Sequence, residues 1–278
     1  MRYIVLILTL CFAAACATHS IPPLATENSG ADDEKRLWQR SEDEQKALAQ
    51  SGLIYRDKKL DDYLNQVARK LQPPQILEHI PFRIKVIKSP YLNAFAFPNG
   101  VIYIHTGILA RLDNEAQLAA LLGHEMTHCT HKHALKTLRH FKSKTDFLVG
   151  VQASLIQFRG IGNLVNQLGA FGSKVAVNGY RRDLENEDDW VGIQLMAKAG
   201  YDPHEALRLF EHLKMELEIE NIQEPFFFGS HPRLQERVEN CNRFFKTHSA
   251  KEGTGVRDQG VFLTKLHQVV LELSLIHI

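Results

Sequence analysis

The motif HEMTH at residues 124–128 places two histidines four residues apart, with a glutamate directly after the first. In an α-helix, residues i and i+4 lie on the same face, so the imidazoles of His124 and His128 can bind one ion. Glu125 lies beside the first ligand, where its carboxylate can take a proton from a water molecule on the metal. The motif therefore predicts metal-assisted hydrolysis with Glu125 as the general base.

A catalytic zinc site needs a third protein ligand and one open position. Acidic residues crowd a later helical segment, whose apolar stripe is formed by Leu184, Val191, Leu195 and Ala199. Glu187 falls into this stripe, where a carboxylate is costly unless it binds a cation. The helix macrodipole accounts better for Asp183 and Glu185, which lie nearer the helix start. We therefore predict Glu187 as the third ligand and Asp189 as a residue that orients a ligand histidine.

Several segments together resemble the M48 family of zinc metallopeptidases. The similar segments are HEMTH with the following THKHAL, then YRRDLENEDDWVGIQLMAKAGYDP and GSHP, within about residues 55–245. The stretch NAFAFPNGVIYIHTGIL is similar to the edge strand before the family's active-site helix. The resemblance is narrowest to periplasmic lipoprotein-type members that act in outer-membrane protein quality control. It implies that His124, His128 and Glu187 bind one zinc ion and that Glu125 is the general base.

The resemblance also reaches two later residues and has one departure. By its place in GSHP, His231 could donate to the oxyanion of the tetrahedral intermediate, or fill the open coordination position and hold the enzyme inactive. A solvated loop histidine is the third interpretation of His231. Arg237 matches another family position and could face the same cleft. Asp188 stands where the family usually has alanine, so this chain carries an extra charge beside a ligand.

A small sheet followed by helices must position these residues. Residues 82–87 alternate as in a strand, and a Pro-Asn-Gly turn precedes a second predicted strand at residues 101–105. From Asp113 onward the pattern is helical. An exposed edge at residues 93–105 could bind an extended peptide as an added strand. The sequence therefore predicts an α+β, mostly helical, zincin-like metallopeptidase domain with a small β-sheet or hairpin.

The chain begins with MRYIVLILTLCFAAAC, a weakly basic start followed by a short apolar run and small residues. The apolar run is shorter than the roughly 20 residues of a membrane-spanning helix. Cys16 after the small residues resembles a bacterial lipobox, and a plain secretory peptide is the alternative. Residues 1–16 are thus predicted to be a signal peptide, with lipidated Cys16 anchoring a periplasmic protein to the outer membrane.

The remaining chain divides into three predicted segments. Residues 17–50 form a polar tether and a surface helix, and residues 51–250 form the M48-like domain. Residues 251–278 form a C-terminal segment that ends abruptly in apolar sequence, as a truncated chain would. The formal net charge of +1 provides no global field for nucleic acid, so no nucleic-acid partner is expected. Cys129 and Cys241 could pair in an oxidising periplasm.

These features predict a zinc-dependent endopeptidase with one Zn²⁺ per chain. Its predicted partners are unfolded or misassembled cell-envelope polypeptides, outer-membrane proteins among them, and the membrane through the lipid anchor. The alternative is a periplasmic, chaperone-like binding lipoprotein with a latched or silent zinc site. The interrupted apolar segment 146–178 and a latch by His231 keep this alternative open. A purely structural zinc site is disfavoured because such sites usually close with cysteine.

Overall fold

The computed structural model describes residues 31–142, 180, 182–219, 234–248 and 253–276 of the chain. Cys16, His231 and the apolar segment 146–178 lie outside the described residues, so the predictions made for them remain predictions. Among the helices of the described ranges, none combines the length and hydrophobicity needed to cross a bilayer.

Helices dominate the described chain, and four short strands lie within its first half. The first-half helices are α1 (Ala31–Gln50), α2 (Lys58–Leu71), α3 (Pro74–His79), α4 (Thr106–Leu109), α5 (Glu115–Thr130) and α6 (His133–Lys142). The strands are β1 (Ile54–Tyr55), β2 (Arg83–Ile87), β3 (Ala94–Ala96) and β4 (Val101–His105). The later helices are α7 (Arg182–Lys198), α8 (Glu205–Ile219), α9 (Leu234–Thr247) and α10 (Gln259–Ile276). This architecture confirms the predicted α+β, mostly helical fold with a small sheet.

The four strands form one sheet in the order β1-β2-β4-β3. β2 and β4 are parallel, and the outer pairs β1–β2 and β3–β4 are antiparallel. Gly100, with φ of 84°, gives the backbone the left-handed conformation of the turn between β3 and β4. The predicted edge at residues 93–105 needs correction, because β4 pairs on both sides and all five of its residues are buried. Only β3 lies at this edge of the sheet.

Helix α5 runs through the centre of the molecule, and all of its 16 residues are buried. Asn114 caps its first turn by accepting a hydrogen bond from the backbone N–H of Gln117 at 3.0 Å. Helix α7 crosses it so closely that a Cβ on Gly123 would lie 3.1 Å from the Cα of Gly192. The two glycines therefore bring the HEMTH segment directly against the first turns of α7.

Two apolar clusters support this crossing. The larger lies between the sheet, α2, α5 and the later helices, and includes Leu64, Ile102, Leu118, Leu195 and Phe262. The smaller lies on the other face of the sheet, and includes Leu48, Ile87, Phe95, Phe97 and Tyr103. Leu48 belongs to α1 and Phe262 to α10, so helices from both ends of the described chain pack on this domain.

Candidate active site

The HEMTH residues lie on the face of α5 that meets α7. His124, Glu125 and His128 are buried there, and Glu125 is only 1% exposed. Ligand atoms of His124, His128, Glu185 and Asp188 all lie within 4.8 Å of one another. Among the described residues, this is the one group whose donors are arranged to hold a metal ion.

Glu185 lies between the two histidines and makes this group fit a zinc ion. Its Oε2 is 3.4 Å from Nε2 of His124, and its Oε1 is 3.6 Å from Nε2 of His128. Ligand atoms about 2.1 Å from a tetrahedral zinc are separated from one another by about 3.4 Å. The two imidazole nitrogens and the carboxylate thus have the chemistry and the spacing of a three-ligand zinc site.

The structure places the predicted third ligand, Glu187, outside this group. Its Oε2 is 3.2 Å from Nε2 of His133, its Oε1 is 3.8 Å from Nε2 of His131, and its side chain is 36% exposed. Each residue of an α-helix turns the side-chain direction by about 100°, so Glu187 points away from Glu185 by about 200°. The apolar stripe does not mark the face of α7 that meets α5, because that face carries Glu185, Asp188 and Gly192.

Asp189 lies behind His124. Its Oδ1 accepts from Nδ1 of His124 at 2.9 Å and from Nε of Arg237 at 3.1 Å. Burial alone would raise the pKa of Asp189, but the charge of Arg237 and the hydrogen bond from His124 hold that pKa below its usual value. The Arg237 guanidinium is buried and stacks over the ring of Phe210, 4.0 Å from its centroid. Arg237 therefore contacts Asp189 and also Nδ1 of His124, which lies 2.9 Å from its Nη2, on the side of the ring away from Glu185.

The electrostatics of the site favour a cation. Glu185, Asp188 and Asp189 are buried together around the two histidines. Burial and the charge of Arg237 lower the pKa of His124, but hydrogen bonds to Asp189 and Glu185 raise it to about 10. Buried carboxylates are costly unless a positive charge balances them, and a divalent metal ion would supply that charge.

Two features next to His128, an aromatic ring and a cavity, were not predicted from the sequence. The ring of Tyr180 stacks on His128 with centroids 4.1 Å apart and an interplanar angle of 25°. On another side, a cavity of about 320 Å³ separates the end of α5 from α1. Its apolar lining includes Leu37, Trp38, Ile80, Pro98 and Leu135. The available signal for Tyr180 was its place at the start of the segment YRRDLENEDDWVGIQLMAKAGYDP, two residues before α7 begins.

The edge strand lies beside the active-site helix. The Cys129 thiol in the last turn of α5 donates to the carbonyl oxygen of Phe97 at 3.3 Å, one residue after β3. Cys129 and Cys241 are both buried free thiols, so the pairing considered from the sequence is not formed. The end of α5 therefore lies next to the end of β3.

A buried helix with an HExxH motif and a glutamate from a crossing helix are features of the zincin class of metallohydrolases. The model of peptidase family M48 matches residues 55–244, and the chain belongs to this family. The match confirms the resemblance inferred from the sequence motifs.

Individual relatives come from mitochondria and from bacteria. The mitochondrial metalloendopeptidase OMA1 of Arabidopsis thaliana is 32% identical over 162 residues, covering 56% of this chain and 32% of that protein. The β-barrel assembly-enhancing protease of Yersinia pestis is 29% identical over 161 residues, covering 56% of this chain and 32% of that protein. The protease of the same name from Escherichia coli K12 is 25% identical over 197 residues, with coverages of 69% and 40%. The chain thus spans about a third to two fifths of these relatives.

Proposed function

We propose that this protein is a zinc-dependent endopeptidase of unfolded or misassembled cell-envelope proteins. The observation that carries the proposal is the convergence of His124, His128 and Glu185 within 4.8 Å, with Glu125 on the same helix. The proposed metal ligands are these three residues, so Glu185 replaces Glu187 in the set inferred from the sequence. The open fourth position is where a catalytic zinc site admits water or substrate.

The residues of the site have separate proposed roles. Zinc bound by the three ligands would polarise the scissile carbonyl and lower the pKa of a water molecule. Glu125, directly after His124, would accept the proton of the attacking water and deliver it to the leaving amide nitrogen. Asp189 would hold the ring of His124 through its Nδ1–H, and Arg237 would hold Asp189.

The sheet edge and the relatives support the proposed substrate class. An extended peptide that pairs with β3 is bound through its main chain, and such binding suits unfolded chains over folded ones. The bacterial relatives are named β-barrel assembly-enhancing proteases, which supports envelope proteins, outer-membrane β-barrels among them, as substrates. With the signal-like residues 1–16, this supports a periplasmic protein held at the outer membrane by lipidated Cys16.

One observation favours the alternative, a chaperone-like binding lipoprotein with a latched zinc site. Glu125 is 1% exposed, and both ligand histidines are buried with it. A peptide carbonyl can reach these groups only after the covering atoms move. His231, in the GSHP segment, remains the proposed latch or oxyanion donor.

Cleavage of casein by the chain from residue 17 onward tests the proposal. Wild type, Glu125→Gln and His231→Ala are compared, and the zinc content of each preparation is measured. We expect wild type to cut casein and Glu125→Gln to retain zinc without cutting. An inactive wild type with an active His231→Ala variant would identify His231 as a latch. If all three proteins bind zinc and none cuts, the binding lipoprotein replaces the endopeptidase.

A further inference from the structure

Each histidine of the HEMTH motif turns its Nδ1 toward a different carboxylate of α7. Nδ1 of His124 is 2.9 Å from Oδ1 of Asp189, and Nδ1 of His128 is 2.9 Å from Oδ2 of Asp188. The Nε2 atoms of both rings face Glu185. Asp188 and Asp189, which are adjacent residues of α7, thus each contact the Nδ1 of one histidine.

Asp188 has a second contact that leads away from the site. Its Oδ2 is 3.1 Å from Nδ1 of His133, the first residue of α6, and both side chains are fully buried. Nε2 of His133 lies 3.2 Å from Oε2 of Glu187. A continuous series of polar contacts therefore runs from His128 through Asp188 and His133 to the half-exposed Glu187.

The geometry distinguishes a positioning role for Asp188 from a ligand role. Asp188 belongs to the same 4.8 Å group as His124, His128 and Glu185. Its Oδ2, however, contacts Nδ1 of His128, while Nε2 of the same ring faces Glu185. Because the two nitrogens of an imidazole point in different directions, Oδ2 of Asp188, bonded to Nδ1–H, does not share the ion held by Nε2. A ligand role for Asp188 would therefore have to use its other oxygen, Oδ1, which has no hydrogen-bond partner among the described residues.

We propose that Asp188 is a positioning residue that fixes the ring and tautomer of His128, and that His133 and Glu187 hold Asp188 in place. This inference rests on the proposed metal site. By accepting the Nδ1–H of His128, Asp188 leaves the Nε2 lone pair directed at the metal position and raises its basicity. The chain thus has one carboxylate behind each proposed ligand histidine.

The test measures the zinc dissociation constant of the full chain by competition with a chromogenic chelator. Asp188→Ala removes the acceptor, whereas Asp188→Asn keeps a neutral oxygen in nearly the same volume. We expect zinc affinity to fall about 10- to 100-fold for Asp188→Ala and less for Asp188→Asn, with one zinc per chain retained at saturation. The absorption spectrum of the cobalt-substituted protein should also shift in Asp188→Ala, because the His128 ring is no longer held.

Asp202→Asn is the matched control, since Asp202 is equally buried but bonds Arg257 far from the site. It should lower the unfolding temperature without changing the zinc dissociation constant or the cobalt spectrum. A dissociation constant of Asp188→Ala within threefold of wild type overturns the proposal. So does the loss of all zinc at saturation, which would make Asp188 a ligand. If wild type itself binds no zinc, the proposed function fails first, and this inference fails with it.

Discussion

Glu185 and Glu187 are two residues apart in sequence and serve different histidines. Glu185 is fully buried between His124 and His128, whereas Glu187 contacts His131 and His133 near the surface. The hydrogen bond from His133 is the largest of the interactions that hold the pKa of Glu187 below its usual value, and partial burial opposes them. Glu187 is thus an ion-pairing residue whose neighbours are histidines outside the ligand set.

Matched substitutions of these two glutamates separate the ligand from its neighbour. Glu185→Gln replaces the carboxylate of a proposed ligand with a neutral amide. We therefore expect zinc affinity to fall more than about 100-fold. Glu187→Gln changes only a contact that reaches His128 through two other residues, so we expect a loss below about tenfold. Zinc content after dialysis against a weak chelator measures both. Equal loss in the two variants would contradict the assignment of Glu185.

At the scale of elements, the site depends on how closely α5 and α7 approach. A Cβ on Gly192 would lie 3.0 Å from the backbone nitrogen of His124, and one on Gly123 would lie 3.1 Å from the Cα and the carbonyl oxygen of Gly192. Both distances are shorter than most Cβ contacts, so a methyl group at either glycine would require the facing backbone to shift by a few tenths of an ångström. The close approach brings Glu185, which lies on the facing side of α7, within reach of both histidines of α5.

Substitution of Gly192 by alanine should push the two helices apart. We expect Gly192→Ala to lower the free energy of unfolding by about 1–3 kcal/mol, because overpacking forces the backbone to shift. We also expect weaker zinc binding, because Glu185 moves away with α7.

Gly260→Ala is the control for this substitution, since a Cβ there meets no atom within 4 Å. Urea unfolding and zinc titration of both variants provide the measurements. A Gly192→Ala variant as stable as wild type, with unchanged zinc affinity, would show that the crossing tolerates a wider separation.

At the scale of the whole molecule, the proposed zinc joins two segments that are distant in sequence. His124 and His128 belong to α5, and Glu185 belongs to α7, which follows the long segment 143–179. An ion that binds the folded chain and not the unfolded one stabilises folding by mass action.

Removal of the metal should therefore lower the unfolding temperature. At free zinc about 1,000 times the dissociation constant, the stabilisation is about 4 kcal/mol, and a chelator should abolish it. Calorimetry before and after chelation, followed by zinc addition, measures the loss and its recovery. Glu125→Gln should behave as wild type in this experiment, because Glu125 is not a proposed ligand. An unfolding temperature that does not change when the chelator is added would contradict zinc binding at this site.

Acid should destabilise the fold partly through His105, which is buried at the end of β4. Burial lowers the pKa of His105 to about 4 from an ordinary value of 6.5. Between these values the unfolded chain binds a proton that the folded chain does not, so stability decreases as the pH falls from 6.5 to 4. The loss reaches about 3 kcal/mol once the pH has fallen to about 4.

His105→Gln removes this titration and should make the decrease shallower. Urea unfolding of wild type and variant at pH 7.5 and pH 5 measures the difference. The carboxylates of the fold titrate in both proteins, so the comparison isolates His105. Parallel curves for the two proteins would show that His105 does not contribute.

The sequence by itself determined the features that lie within single elements. The spacing of His124 and His128 predicted one metal-facing side of a helix, because the four-residue repeat is a property of the helix alone. Alternating residues and the Pro-Asn-Gly turn likewise predicted the strands at residues 82–87 and 101–105, although not that β4 lies inside the sheet and β3 at its edge.

Only the tertiary structure decided which acidic residue of α7 joins the histidines. Within α7 the alternatives Glu185 and Glu187 differ by a rotation about the helix axis, and no local pattern determines that rotation. It is set by the contact of Gly192 with Gly123 on the neighbouring helix. The same contact brings Asp188 to His128 and Asp189 to His124. Rotation and approach of packed helices depend on residues distant in sequence. For this reason the sequence located the two histidines, whereas packing decided which carboxylate lies between them.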